Sequence, residues 1–271
     1  MPIFALMFGM SLRFVSDSAL RRGRSPWKAV GRRMIALLAI GLLHSLVYPG
    51  EVLKEYAVAG LLMLPIALKA PRLLVAALGV VGTMASYAWA GSNMINVPGL
   101  FLLGAAAVAY GLPAYLEHPG RRLLAAAVAL AVATVLALIA QTHEGGGPRF
   151  GYVGGIAGGV QAMLYICLMA LACSCRIRKP LIAFFEPLGR TALTCYASAS
   201  LIVAPIGLAL HWKDSRDVAP LLAVAALVLV VQSTAARLWL KHFRYGLLEW
   251  AWRCLTWWTL VDIRRPAAAG G

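Results

Sequence analysis

Long apolar stretches alternate with short basic gaps along this chain of 271 residues. Of its 25 Lys and Arg residues, 20 lie in every second gap or after the last stretch. These residues are Arg21, Arg22, Arg24, Lys28, Arg32, Arg33, Lys69, Arg72, Arg121, Arg122, Arg176, Arg178, Lys179, Arg190, Arg237, Lys241, Arg244, Arg253, Arg264 and Arg265. The intervening gaps hold only Arg149, Lys213 and Arg216. Because basic residues near the ends of membrane spans stay in the cytoplasm, this pattern predicts a chain that crosses a membrane repeatedly.

The composition supports a membrane protein over a soluble one. The chain is 61% hydrophobic and 13% charged, whereas a soluble domain is roughly 45 to 50% apolar and about 25% charged. The net charge of +15 is scattered through short loops and forms no polar stripe, so the predicted partner is a lipid bilayer and not nucleic acid. Five cysteines show no spacing such as CxxC, and we predict no metal site.

The apolar runs are long and unalternating, which predicts an all-α fold: a polytopic integral membrane helix bundle of about nine transmembrane helices with a C-terminal interfacial helix. Residues 1–242 form the predicted bundle and residues 243–271 a Trp-rich cytoplasmic helix and tail. The predicted spans are 1–15, 34–49, 52–68, 73–91, 97–115, 123–141, 152–175, 191–210 and 220–240. The basic gaps then leave the N-terminus outside, so we expect a further helix upstream of the short first one.

A first polar cluster joins the second and third predicted helices. His44 ends one helix, and Glu51, Lys54 and Glu55 begin the next across a Pro-Gly turn, near the outer leaflet. An imidazole beside carboxylates suits a general base or a proton relay, with His44 as base and Glu51 orienting it. The alternative is a set of charges lying in outer headgroups at a helix start. Lys54, Glu55 and the following Tyr56 are the predicted substrate contacts.

A second cluster contains Glu186, Arg190 and Thr194, at the predicted cytoplasmic start of the eighth helix. Free amides at a helix start, beside a cation, suit a phosphate or carboxylate from the cytoplasm. The alternative is a basic anchor on the cytoplasmic side.

A third cluster lies in the Trp-rich segment near the C-terminus. Glu249 and Arg253 have the spacing of an ion pair on one helix face, and Trp250 is one of four tryptophans within this segment. Trp prefers the headgroup region, so the segment is predicted to lie along the inner membrane surface as an anchor.

These clusters resemble, in order, the motifs of the YeiB-like family of bacterial inner-membrane proteins, domain of unknown function 418. The family's GLxH, GDIL with a Tyr, GRMALTNYLxQS and GPLEWLWRxLT correspond to Gly41–His44, Gly50–Leu53 with Tyr56, Gly189–Ser200 and Gly246–Thr256. Leu6–Gly9 resembles the family's LFG helix. The chain departs from these patterns at Glu51, Cys195, Ala199 and Leu247, where the family has Asp, Asn, Gln and Pro.

The family is distantly similar to membrane acyltransferases, which implies a cytoplasmic acyl-CoA donor, an acceptor outside the cytoplasm and no bound cofactor. It also implies a multi-pass protein of the bacterial inner membrane, and the basic gaps predict that the C-terminus lies in the cytoplasm. Two alternatives remain: a proton-coupled transporter of a small solute, and a membrane protein without catalytic activity. The sequence predicts no oligomeric state.

Overall fold

The apolar runs fold as helices throughout the part of the chain that the computed structural model describes, residues 2–91, 93–143, 151–210, 212 and 218–265. These residues contain α-helices, one 3-10 helix (Met94–Asn96) and no named β-strand, which confirms the all-α class. The α-helices are α1 (Pro2–Arg21), α2 (Pro26–Ser45), α3 (Leu53–Lys69), α4 (Arg72–Ala90), α5 (Val97–Ala109), α6 (Leu112–Glu117), α7 (Arg121–Thr142), α8 (Tyr152–Ser174), α9 (Arg178–Arg190), α10 (Ala192–Ala209), α11 (Ala219–His242) and α12 (Leu247–Trp257).

Six of these helices, α1, α4, α7, α8, α10 and α11, are long and apolar enough to cross a membrane. A helix lies in each of the nine predicted segments, but α2 carries Lys28, Arg32 and Arg33, and α3 has only 17 residues. The membrane-like character of the chain is therefore clear, and the number of nine spans stays a prediction.

Two boundaries differ from the prediction. The helix predicted over residues 97–115 ends at Ala109, and α6 follows after Gly111, whose φ of 73° lies in the left-handed region that glycine adopts readily. The basic gap after α8 contains a further helix, α9, which was not predicted from the sequence. Helix α9 mixes apolar and charged residues, and it is too short to span a membrane.

The chain divides into two compact units. Unit 1 comprises Met1–Ile35 and Glu55–Arg178, and unit 2 comprises Ala36–Lys54 and Lys179–Gly271. In unit 1, α1 packs along α5 at glycines, because a Cβ on Gly9 would overlap the backbone of Phe101. Small residues thus allow the close helix approach that packing in lipid requires.

In unit 2, side chains of α11 bind carbonyl groups of α9. Pro187 lacks an N–H, so the carbonyl of Ala183 one turn earlier has no partner within the helix. Arg237 Nη2 donates to that oxygen over 2.6 Å, and Ser233 Oγ donates to Phe184 O over 2.8 Å. Helix α11 therefore supplies the hydrogen bond that Pro187 removes from α9.

The segment after α12 folds back on the connection between α11 and α12. Arg244 N donates to Ile263 O over 2.8 Å, and Arg265 N donates to His242 O over 3.0 Å. The indole Nε1 of Trp250 donates to Val261 O over 2.6 Å. These bonds fix the last described residues beside the end of α11.

Candidate functional site

Glu51 is the centre of the candidate site in unit 2. Its carboxylate accepts hydrogen bonds from His44 Nδ1 and from the backbone N of Leu53. The hydroxyl of Tyr196 in α10 lies 3.5 Å from both carboxylate oxygens. Glu51 is only 3% exposed, and a buried carboxylate needs such donors to offset its lost hydration.

The local sequence explains how His44 and Glu51 meet. His44 lies in the last turn of α2, and the turn through Pro49 and Gly50 reverses the chain towards α3. A Cβ on Gly41 would lie 2.7 Å from the backbone N of Lys54, so this glycine lets α2 approach the start of α3. The side chain of His44, one turn after Gly41, therefore reaches Glu51.

The two ring nitrogens of His44 have different surroundings. Because Nδ1 donates to the Glu51 carboxylate, we assign the proton of the neutral ring to Nδ1. Nε2 is buried and has no hydrogen-bond partner among the described residues. The rings of Tyr196 and Tyr48 lie 5.4 and 6.1 Å from the imidazole ring, centroid to centroid. In this tautomer, Nε2 of His44 carries the lone pair that accepts a proton.

The predicted substrate contacts are divided between the two units. Lys54 belongs to unit 2, whereas Glu55 and Tyr56 belong to unit 1. Tyr56 is buried, and its ring packs against Phe4, Phe8 and Phe101. Glu55 Oε2 is buried without a hydrogen-bond partner among the described residues. Substrate binding by these three residues stays a prediction.

Arg190 is the last residue of α9 and directly precedes Thr191, the N-cap residue of α10. It occupies the last turn of α9, where the negative end of that helix dipole stabilises a cation. Arg190 Nη1 lies 3.6 Å from Glu186 Oε1, and Nη2 donates to Arg244 O over 3.2 Å.

The start of α10 is bound by a carboxylate of the chain itself. Glu249 of α12 accepts hydrogen bonds from the backbone N of Leu193 (2.5 Å), the backbone N of Thr194 (3.0 Å) and Thr194 Oγ1 (2.6 Å). Glu249 thus serves as the N-terminal cap of α10, from 55 residues further along the chain in the case of Thr194.

This contact changes two predictions. Glu249 already binds the amides at the start of α10, so an external anion does not meet free amides there. The ion pair predicted between Glu249 and Arg253 does not form, because the Arg253 guanidinium lies 4.9 Å from the ring centre of Tyr245 instead.

The polar clusters of His44 and Arg190 lie towards the same end of α10, which overturns our expectation that they lie at opposite ends of the bundle. Tyr196, which contacts Glu51, lies only about 6 Å along the axis from the start of α10 at a rise of 1.5 Å per residue. The expectation assumed that residues 34–49 form a complete span, whereas α2 covers Pro26–Ser45 and includes three basic residues.

Two polar residues of unit 2 were not predicted from the sequence. One is Tyr196, although a Tyr inside an apolar run was a signal for a buried hydroxyl with a partner. The other is Gln232 of α11, whose Nε2 donates to Cys195 O over 2.7 Å and to Ser198 Oγ over 3.1 Å. A single amide side chain inside an apolar run was the sequence signal that Gln232 has a polar partner.

The comparisons with known proteins identify relatives without an assigned function. The "Uncharacterized 39.9 kDa protein in amylase 3'region" of Bacillus acidopullulyticus is 26% identical over 94% of this chain and 79% of its own length. The "Uncharacterized protein YxaH" of Bacillus subtilis (strain 168) is 24% identical over 94% of this chain and 78% of its own length. No solved structure matches the chain.

A family profile described as "Protein of unknown function (DUF418)" matches residues 114–259. The matched region contains Tyr196, Arg190 and Glu249, whereas His44 and Glu51 precede it. The match confirms the resemblance that the motifs predicted, and the chain belongs to the DUF418 family.

Proposed function

We propose that unit 2 carries a general-base site that transfers an acyl group to a hydroxyl or amine. The observation that carries the proposal is the arrangement of His44, whose Nδ1 is bound by Glu51 while Nε2 has no described partner. A carboxylate that fixes the tautomer and orientation of an imidazole is how proteins prepare a histidine to accept a proton. The distant similarity of the family to membrane acyltransferases suggests the reaction, as an analogy of fold.

The proposed step conserves atoms and charge. Nε2 of His44 takes the proton of the acceptor hydroxyl while the acceptor oxygen bonds to the carbonyl carbon of an acyl-CoA. The carbon–sulfur bond then breaks, and the imidazolium returns the proton to the departing thiolate. Glu51 stabilises the transient imidazolium through its hydrogen bond to Nδ1.

The donor in this proposal binds near Arg190. Arg190 and Glu186 line a pocket with Arg237, Lys241 and Arg265, and its excess of cations favours the phosphates of an acyl-CoA. Because His44 and Arg190 lie towards the same end of α10, the geometry favours a donor and a base on one side of the membrane. It gives no support to an acceptor at the far end of α10.

Localisation is part of the proposal. The cations at the end of α11 and after it, including Arg237, Lys241 and Arg244, favour a cytoplasmic C-terminus by the positive-inside rule. The family resemblance and this rule together favour the inner membrane of a bacterial cell as the compartment.

A direct test follows the release of free CoA from acyl-CoAs of several chain lengths by the purified chain, with hydroxyl and amine acceptors. We expect His44→Gln to lower the rate at least about 100-fold, the lower limit for removing a general base. His118→Gln is the matched control, because His118 is exposed at the end of α6 and its loss leaves the site intact. Equal rates for the parent chain and His44→Gln, or no release from any acyl-CoA, would reject acyl transfer.

Burial of Glu51 between apolar elements also favours a second candidate, proton-coupled transport of a small solute. A carboxylate, an imidazole and a phenol in mutual contact are the components of a proton relay in membrane proteins. Uptake into proteoliposomes that is driven by a pH gradient and abolished by Glu51→Gln would favour this candidate. Uptake that does not respond to the gradient would exclude it.

A further inference from the structure

A cationic pocket lies in unit 2 at the end of α11, beside α9. It has a volume of about 360 Å³, within the range of small-molecule sites. Four cations, Arg190, Arg237, Lys241 and Arg265, line it with a single carboxylate, Glu186. The pocket thus combines residues from three separate parts of the chain into one positively charged surface.

Two of the four cations already have partners, and two remain available. Arg190 contacts Glu186 and Arg244 O, and Arg237 donates one N–H to Ala183 O. The side chains of Lys241 and Arg265 show no hydrogen bond or ion pair within the described residues, although the backbone N of Arg265 is held by His242 O. The fixed arginines therefore shape the pocket, and the other two are ready to bind an anion.

The pocket also has an apolar side. Ile182 and Pro187 of α9 and Leu240 of α11 line it beside the cations. Leu240 and Lys241 lie in the last turn of α11, a candidate membrane span that ends at His242. Span ends lie at the depth of lipid headgroups, where basic pockets bind anionic phosphates.

We propose that this pocket binds a phosphate ester that is attached to an apolar or extended organic group. Arginine offers paired N–H donors that match two phosphate oxygens, and lysine adds a compact charge. Two sources carry this chemistry: the headgroup of an anionic phospholipid, and a soluble phosphorylated molecule such as coenzyme A. If the pocket holds the acyl-CoA donor, the inference rests on the proposed function. Binding of a phosphate group by the pocket does not depend on any reaction.

The test measures binding to the purified chain, with no reaction involved. In one arm, delipidated protein is mixed with phosphatidylglycerol or phosphatidylcholine, and bound lipid is counted by native mass spectrometry. In the other arm, equilibrium dialysis measures the binding of coenzyme A and of inorganic phosphate. Because neither arm uses His44, a failure here leaves the acyl-transfer assay unaffected, and a failure of that assay leaves this test intact.

The variants are Lys241→Gln and Arg265→Gln, with Lys179→Gln as the matched control. Lys179 is an exposed cation of α9 that does not line the pocket. We expect each pocket variant to weaken binding about tenfold, the effect of losing one charged hydrogen bond. Lys241→Arg keeps the charge and should keep the binding. It also separates a charge effect from a folding defect.

The lipid-binding and dialysis experiments distinguish a phospholipid headgroup from a soluble phosphorylated molecule as the ligand. Selective binding of phosphatidylglycerol over phosphatidylcholine that depends on Lys241 and Arg265 supports the pocket as a lipid site. Binding of coenzyme A with the same dependence supports it as a site for a soluble phosphate. Absence of binding in both arms, or an equal loss on Lys179→Gln, overturns the proposal.

Discussion

Glu51 has hydrogen-bond donors from three parts of unit 2. His44 lies in the last turn of α2, Leu53 begins α3 and Tyr196 lies in α10. A buried carboxylate with such partners holds these parts together, and removing it leaves several donors unsatisfied at once. The same residue therefore has a structural role and a role in orienting His44.

The hydroxyl of Tyr196 provides a test of this role. Its distance of 3.5 Å from both oxygens of Glu51 is at the long limit for a hydrogen bond. We expect Tyr196→Phe to lower the free energy of unfolding in detergent by about 0.6 kcal/mol, the average for a hydrogen bond between membrane helices. Unfolding by sodium dodecyl sulfate, followed by circular dichroism, measures the change.

Tyr165→Phe is the control for this substitution, because Tyr165 is an exposed tyrosine of α8 in unit 1. Glu51→Ala should destabilise the protein more than Tyr196→Phe, since it removes the acceptor of all the donors. A larger loss on Tyr196→Phe than on Glu51→Ala would contradict the central position of Glu51.

Local sequence could predict the His44 and Glu51 pair but not its partner in α10. His44 and Glu51 are seven residues apart across a recognisable Pro-Gly turn, whereas Tyr196 is 145 residues from Glu51. No periodicity or spacing relates residues so far apart. The same reason explains why Glu249 was assigned to Arg253, four residues away, and not to Thr194.

Helix α12 supplies a hydrogen-bond acceptor for the N–H groups at the start of α10. Each α-helix begins with four N–H groups that have no partner within the helix, and Glu249 binds two of these groups in α10. Gly246 permits the approach, because a Cβ there would lie 2.8 Å from Thr194 Oγ1. The occurrence of both motifs, Gly189–Ser200 and Gly246–Thr256, in one chain therefore has a physical basis in one shared cap.

Removal of this cap should destabilise unit 2. We expect Glu249→Ala to lower the free energy of unfolding by about 2 kcal/mol, because a charged N-terminal cap and the half-buried hydroxyl partner Thr194 are lost together. Glu249→Gln, which keeps one acceptor oxygen, should have an intermediate effect. The detergent unfolding assay described for Tyr196 measures both variants.

Glu117→Ala is the matched control, because Glu117 is an exposed carboxylate at the end of α6. Its midpoint of unfolding should equal that of the parent chain. If Glu249→Ala also leaves the midpoint unchanged, the contact between α12 and α10 contributes nothing to stability.

The helices themselves could largely be predicted from the sequence, and their ends could not. Runs of about 20 apolar residues located α1, α4, α7, α8, α10 and α11, because lipid permits few other structures. The break at Gly111 depends on one backbone angle, and α9 is too short and too polar for the span criterion. The alternation of basic gaps assumes that every apolar run crosses the membrane. This assumption places His44 and Arg190 on opposite sides of the membrane, contrary to the structure.

The arrangement of the chain in the membrane is open to a labelling test within unit 2. Single cysteines are introduced in a cysteine-free chain by Ser45→Cys, Lys179→Cys and Leu210→Cys, and intact cells are treated with an impermeant maleimide. Ser45 follows His44, Lys179 begins α9, and Leu210 follows the last residue of α10. We expect Leu210→Cys to react in intact cells, and the other two to react only after permeabilisation.

This result would place the His44 site on the same side as the basic residues. Labelling of both Ser45→Cys and Leu210→Cys in intact cells would restore the original expectation of an outward-facing His44. Parallel labelling of a cysteine introduced by Thr142→Cys, at the end of α7, controls for access to the outer surface.

The cap that Glu249 provides has a consequence for how the protein is made. Glu249 is synthesised 56 residues after Leu193, so the start of α10 exists before its cap does. During that interval the start of α10 depends on water or headgroups for its hydrogen bonds. A nascent chain that stops short of α12 consequently lacks the carboxylate that caps α10.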